Sequence, residues 1–310
     1  MIVAAAVLPH GDFVFDPTLV HDDPNGRSDA ERLHCSAEQA TDRLLALDLD
    51  LIALITPHGL AVEDDVAAYL GQRASGFAVI GRDVVDGSVQ PYTFPMEDIA
   101  LDNKETKRLI EGLECKNCGI SGIVSFGGYE DAPLRYGEIV PLSFIRGSQL
   151  KQRDAGVDTK HSKFPVAGLK YVLLSLPNKR YSHDVEMVSD MVDFGSNLYQ
   201  HFESLSSRVA IVVSTDLAHT HLDAGPYGYS DAAQPFDNAC AEWVLTMDGE
   251  PLLERAKDLV DDAKSCGYLG MVILHGVLSQ LQRDAWDNEL LSMSHPTYYG
   301  MCVATFIRTI

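Results

Sequence analysis

The chain has 310 residues, 46% of them apolar, with 45 acidic and 24 basic side chains and a formal net charge of -21. That size suits one large α/β domain or two smaller ones. The charge repels a phosphate backbone, which excludes nucleic-acid binding through a general basic surface but leaves room for a local positive pocket.

Residues 1–9 read as a buried strand, short and rich in Ala, Val, Ile and Leu. The opening MIVAAAVLPHGDF lacks the basic leading region and the apolar length of a signal peptide. No apolar run approaches the ~20 residues that span a bilayer. SAEQATDRLLALD (36–48) has helical spacing with Ser36 as N-cap, and 49–57 is a second buried strand. Strand, helix, strand is the signature of a βαβ unit in a parallel sheet. GFAVIGRDV (76–84) is expected to open a hairpin, and 103–117 is an amphipathic helix. YGEIVPLSFI (136–145) reads as a strand broken by Pro141, and GLKYVLLSLP (168–177) as a strand stopped by Pro177.

Further on, 183–207 is helical by period, RVAIVVST (208–215) is a strand, and 236–247 and 251–263 are helices. YLGMVILHGVLSQL (268–281) is apolar nearly all round, as a buried helix is. Residues 298–310 close the sheet. Between about 85 and 165 the pattern weakens, and long loops over one end of the sheet are expected there. The predicted fold is a single α/β domain over 1–310, with a central, mostly parallel or mixed sheet flanked by helices and long loops over the active-site end.

Three apolar runs lead into a histidine: AAAVLP-His10, LIALITP-His58 and VAIVVSTDLA-His219. In an open α/β sheet the ligand crevice lies at the carboxyl ends of the strands. His10 and His58 share the frame Pro-His-Gly, in which proline ends the ladder and Gly11 or Gly59 turns the chain. Pro-x-Gly is also ordinary loop punctuation. Neutral imidazole is the commonest metal ligand, and two histidines with one carboxylate form the usual array of non-haem Fe(II) oxygen chemistry. In STDLAHTH (214–221), Asp216 can orient a histidine and His219 can act as general acid or base. His221 competes for that role, and Asp216 could equally cap a turn. The six cysteines (Cys35, Cys115, Cys118, Cys240, Cys266 and Cys302) are too scattered for a disulfide scaffold, so a reduced, cytoplasmic setting is expected. The single CxxC in ECKNCG (114–119) lacks the second pair that a structural zinc site needs.

The order of motifs (PHG near the N-terminus, TPHG some fifty residues on, ST-D-L-A-H after a strand, GPYGY, and a late CG before an apolar helix) resembles the LigB superfamily. That superfamily comprises class III extradiol ring-cleaving dioxygenases and the related Memo proteins. The resemblance implies a non-haem Fe(II) enzyme that opens a catechol or aminophenol ring with O2, with copper or zinc as other occupants of the site. His10 and His58 match the metal-binding histidines, and His219 matches the acid–base histidine with Asp216 beside it.

The third ligand of extradiol enzymes is a glutamate, and 261–271 (DDAKSCGYLGM) contains none. Memo proteins carry a CG there whose cysteine joins the two histidines. Cys266 is therefore the first choice, then Asp262, then Asp261. Where relatives have a histidine before a glycine, this chain has Tyr136, whose phenol is no near-neutral acid. His295, in SHPTYYG, matches a histidine ahead of the terminal strand. Tyr136 and His295 are the expected substrate contacts. The other reading is a Memo-like metal-binding protein without dioxygenase turnover. A homodimer is implied by resemblance alone.

Overall fold

The computed structural model describes residues 1–84, 87–116, 119–126, 130–154 and 168–309. In chain order the strands are β1 Ile2–Leu8, β2 Leu51–Thr56, β3 Val66–Leu70, β4 Arg73–Ile80, β5 Tyr92–Ala100, β6 Ile120–Val124, β7 Ala132–Leu134, β8 Lys170–Ser175, β9 Val209–Ser214, β10 Trp286–Ser294 and β11 Met301–Arg308. The helices are α1 Asp12–Phe15, α2 Pro24–Leu45, α3 Asn103–Glu114, α4 Tyr136–Asp154, α5 Arg180–His183, α6 Val188–Glu203, α7 Ala233–Thr246, α8 Lys257–Ala263 and α9 Tyr268–Leu278.

Strands β1, β2 and β9 are buried along their whole length. Strands apolar on both faces belong in the middle of a parallel sheet covered by helices. The large sheet accordingly runs β10-β11-β1-β9-β2-β8-β3-β6. Its four central strands, β1, β9, β2 and β8, are parallel, while β11 and β3 flank them antiparallel. Leu8 lies opposite Ser214, and Thr56 opposite Ser175. The four central strands therefore end level with one another.

Alternate residues of β1 feed two cores. Ala5 and Val7 pack with α6, α7 and α9 on one face. Ala4, Ala6 and Leu8 pack with α2 and α4 on the other. The chain reaches β2 through α2 and later returns through α6 to insert β9 between β1 and β2. That change of direction opens a crevice at the carboxyl ends of these strands.

Several expectations are corrected. Helix α2 starts at Pro24, twelve positions before Ser36, with the Asp23 side chain accepting from the Asn25 amide; its buried stripe of Ala30, Leu33, Ala37 and Ala40 is too small-sided to stand out. Helix α3 stands where an amphipathic helix is expected over 103–117, but around it the region expected to be long loops holds β5, β6, β7 and α4. Strands β5, β4 and β7 form a second, three-stranded sheet. Ala74, Ala78, Ile80 and Met96 join it to the core beside α4. Residues 136–145 are helix, not strand, with Pro141 inside it. The predicted helix over 251–263 is a π-helical segment, Pro251–Ala256, running into α8. Cys115 caps α3 and is exposed, and Cys118 lies outside the described residues.

Candidate metal centre

His10, His58 and Asp216 each stand two residues beyond the end of a central strand, so the level sheet edge brings them together. The strand before His219 ends at Ser214, and His219 enters the crevice from the following loop rather than from a strand end. The His10 and His58 ring centres are 4.8 Å apart and nearly perpendicular. Cys266 precedes α9, and its Sγ lies 3.4 Å from His10 Nε2. A β-carbon on Gly267 would stand 1.6 Å from Thr215 Oγ1, so glycine is what lets Cys266 come this close to the end of β9. His10, His58 and Cys266 present one ligand atom each, all within 4.8 Å of one another. Asp216, His219 and Cys266 do the same, so Cys266 belongs to both groups.

The hydrogen bonds fix the His10 tautomer. Ser214 Oγ donates to the Gly137 carbonyl at 2.5 Å. A hydroxyl has one proton, so toward His10 Nδ1, 2.9 Å away, Ser214 can only accept. Nδ1 then carries the hydrogen and Nε2 keeps its lone pair, the form a metal requires. The Gly137 carbonyl is open to Ser214 because its helical partner would be the amide of residue 141, which is proline and has none. The Pro141 that looked like a strand breaker is thus part of the support of His10. His219 is fixed likewise: its Nδ1 donates to the Leu217 carbonyl at 2.9 Å, leaving Nε2 bare.

Burial decides the charges. It pushes His10 well below the ordinary imidazole range, His58 down to about 3 with help from the Arg180 charge, and His219 to about 4. All three rings are neutral at pH 7. Burial likewise raises Asp216 and the Cys266 thiol well above their usual values. The 3.3 Å contact between Asp216 Oδ2 and His10 Nε2 therefore sets a buried carboxyl group against a neutral imidazole and is not an ion pair. Two soft or basic nitrogens and a thiol that ionises on binding a cation are a donor set suited to a transition-metal ion.

A cavity of about 390 Å³ lies over this cluster, lined by His10, His58, Tyr136, His219, Tyr227 and Cys266 among others. Tyr136 packs 5.0 Å from the His58 ring, and burial keeps its phenol protonated. Asp261 also lines the cavity, but neither it nor Asp262 joins a ligand group with the histidines among the described residues. His295 does not line it. That ring stacks on His221 at 4.0 Å in a neighbouring cavity, where His221 bonds Asp237 at 2.7 Å. His219, not His221, is the imidazole that faces the centre. Sequence reasoning missed Arg180, Ser214 and Glu138. Arg180 follows β8, a fourth strand ending at the same edge, and that position was the available signal.

Glu138, fully buried in α4, anchors the His58 loop. Tyr69 Oη donates to Glu138 Oε1 at 2.6 Å and accepts from the Leu60 amide. Burial outweighs these donors and raises the Glu138 carboxyl from 4.5 to about 7. An acid raised on folding holds its proton in the native state after the unfolded chain has lost it. Stability is therefore expected to fall as pH rises from 4.5 to about 7, by on the order of 3 kcal/mol for this group. Thermal melts of Glu138→Gln should lack that slope; an unchanged slope assigns it elsewhere.

A family model described as the catalytic LigB subunit of aromatic ring-opening dioxygenase matches residues 5–304. The sequence is similar to a Clostridium acetobutylicum protein, CA_C1420, at 24% identity over 255 residues. That alignment takes in 78% of this chain and 44% of the relative, so the chain spans less than half of the relative's length. The fold is similar to that of an uncharacterized protein from Escherichia coli, JW3007, with a TM-score of 0.52 and 13% identity over 98% of this chain and 99% of that one. The family match takes in every strand end that feeds the crevice, and the chain belongs to the family of catalytic LigB subunits of aromatic ring-opening dioxygenases.

Proposed function

We propose that this protein, read as one catalytic domain, is a non-haem Fe(II)-dependent extradiol-type dioxygenase that opens a catechol or aminophenol ring with O2. The observation that carries the reading is the convergence of His10, His58 and Cys266 beneath a cavity that also holds a neutral His219. His10 and His58 would hold the ion through imidazole nitrogen and Cys266 through thiolate. When bound, the ion would act as Lewis acid toward the ring oxygens and activate O2.

The chain's own residues do the rest. His219, with Nε2 bare, accepts the hydroxyl proton of the ring and later returns it. Tyr136 keeps its proton and can donate a hydrogen bond to a ring oxygen. Tyr298 and Tyr299, both buried, wall the cavity and limit water. Both oxygen atoms end in the ring-opened product, so no outside reductant is consumed. Anaerobic loading with Fe(II), followed by a catechol and aminophenol panel in air, tests the reading. A coloured ring-opened product is expected; none from metal-loaded protein sinks it.

The thiol at the third position favours a second reading, a metal-binding protein without turnover. Cys266→Ser is expected to lower bound iron or copper by roughly 10-fold or more at a fixed chelator concentration. Unchanged metal content removes Cys266 from the donor set and this second reading with it.

A further inference from the structure

Among the described residues four strands end a sheet: β10 and β6 in the large one, β5 and β7 in the small one. A sheet edge offers unpaired amides and carbonyls to another strand, and natural edges are blunted by charge, proline, a bulge or shortness. Three of the four are blunted. Strand β10 exposes Asp287 and Glu289 and is bulged between Leu290 and Ser292. Strand β5 carries Pro95, Glu97 and Asp98, the last with a left-handed φ of 56°. Strand β7 spans only Ala132–Leu134 and holds Pro133.

Strand β6 has no charge, proline or bulge. It pairs with β3 in unbroken register over Ile120–Val124. GISGIVSF (119–126) contains no charged side chain and no proline, in a chain with a net charge of -21. Val124 is 56% exposed and Phe126 88%. The Val66 amide donates to the Gly119 carbonyl at 3.0 Å, so Gly119, Ser121 and Ile123 turn their backbone groups toward β3. Backbone groups alternate along a strand, so those of Ile120, Gly122 and Val124 point away from β3. Among the described residues no strand takes them.

The segment is also nearly palindromic about Ile123. Gly122 and Val124 flank it, then Ser121 and Ser125, then Ile120 and Phe126. Laid antiparallel on a copy of itself, it sets serine opposite serine, valine opposite a glycine that leaves it room, and phenylalanine opposite isoleucine. Hydroxyl and apolar pairs of this kind stabilise an antiparallel ladder, and no like charges meet.

We propose that β6 is the contact surface of a two-fold dimer, in which two copies of this chain pair their β6 strands antiparallel about Ile123 and join two eight-stranded sheets into one. The palindrome selects a second copy over a foreign strand. Charge points the same way: two chains of -21 repel over most of their surfaces, and this uncharged edge is where they can meet. Self-pairing consumes the one unblunted edge, so assembly closes at two and does not run on into filaments. Strands β8 and β3 stand between β6 and β2, so the contact leaves the metal centre open.

Sedimentation equilibrium of the whole chain over a dilution series tests this, with amide exchange of the 119–126 segment followed over the same series. Wild type is expected to dimerise, and exchange in this segment to slow as the dimer fills. Val124→Pro removes an outward amide from each copy without taking a bond from β3, a change that an edge strand tolerates. It should weaken the dimer by roughly 10- to 100-fold. Val124→Lys, an exposed change, brings two like charges together across the axis and should weaken it similarly, whereas Val124→Thr should stay within a few-fold of wild type. Iron content and circular dichroism should be unchanged in all three. Added salt should tighten the wild-type dimer by screening its net charge. A wild-type monomer throughout the series overturns the proposal, as does a dimer that Val124→Pro and Val124→Lys leave intact. Exchange in 119–126 that ignores concentration, or a dimer that salt loosens, places the interface elsewhere and overturns it too.

Discussion

His10→Ala is expected to abolish stoichiometric iron binding, lowering affinity more than 100-fold, while the fold is retained. The roughly 10- to 100-fold typical of losing a group that merely supports a ligand is the lower bound, because here the ligand itself is lost. His10 is 1% exposed and lies against His58, Tyr136, Ser214, Asp216 and Cys266. Its removal leaves only one imidazole and a thiol in the first group. Ser214→Ala provides the graded comparison. It keeps the ring but releases the hydrogen bond that places the proton on Nδ1. Affinity should then fall by only about 10- to 100-fold. Chelator competition after anaerobic loading reads both values, and circular dichroism checks the fold. Iron retained at one equivalent in His10→Ala would remove this imidazole from the centre.

The second large effect concerns His219. His219→Gln keeps a polar side chain of similar reach but cannot accept and return a proton near neutral pH. Ring opening is expected to slow by about 10²- to 10⁴-fold, the usual worth of a positioned acid–base group. Iron content should stay at the wild-type level, because the Nδ1 bond to Leu217 and the His10–His58–Cys266 group do not depend on Nε2 of His219. Single-turnover rates with metal content measured on the same samples separate these effects. Loss of iron together with rate would place His219 among the ligands, using the Asp216–His219–Cys266 group instead. A rate within a few-fold of wild type would assign proton transfer to another residue.

Much of this is legible in the sequence alone. The central strands announce themselves because burial on both faces demands unbroken runs such as LIALIT. His10 and His58 share a proline–glycine frame that only a strand end explains well. Of the second sheet only the hairpin opening at 76–84 is legible, because β5 is mostly exposed and contains Pro95. Helix α4 was misread because its aromatic and β-branched residues and Pro141 imitate an interrupted strand. Cys266 had no local signal beyond its family resemblance, since only the packing of Gly267 on Thr215 brings the thiol to His10. Ser214, Arg180 and Glu138 gain meaning only when the strand order makes distant segments neighbours.

The missing amide at Pro141 has a consequence for how variants are classified. This residue does not line the cavity over the imidazoles, yet its backbone leaves Gly137 free to receive Ser214, which in turn sets the hydrogen on His10. Pro141→Ala would supply a competing donor inside the helix and strengthen α4 while loosening the ring. Such a variant should melt at a higher temperature and hold iron more weakly. Screened by thermal stability alone it would count as an improvement; screened by metal content it would be grouped with the ligands.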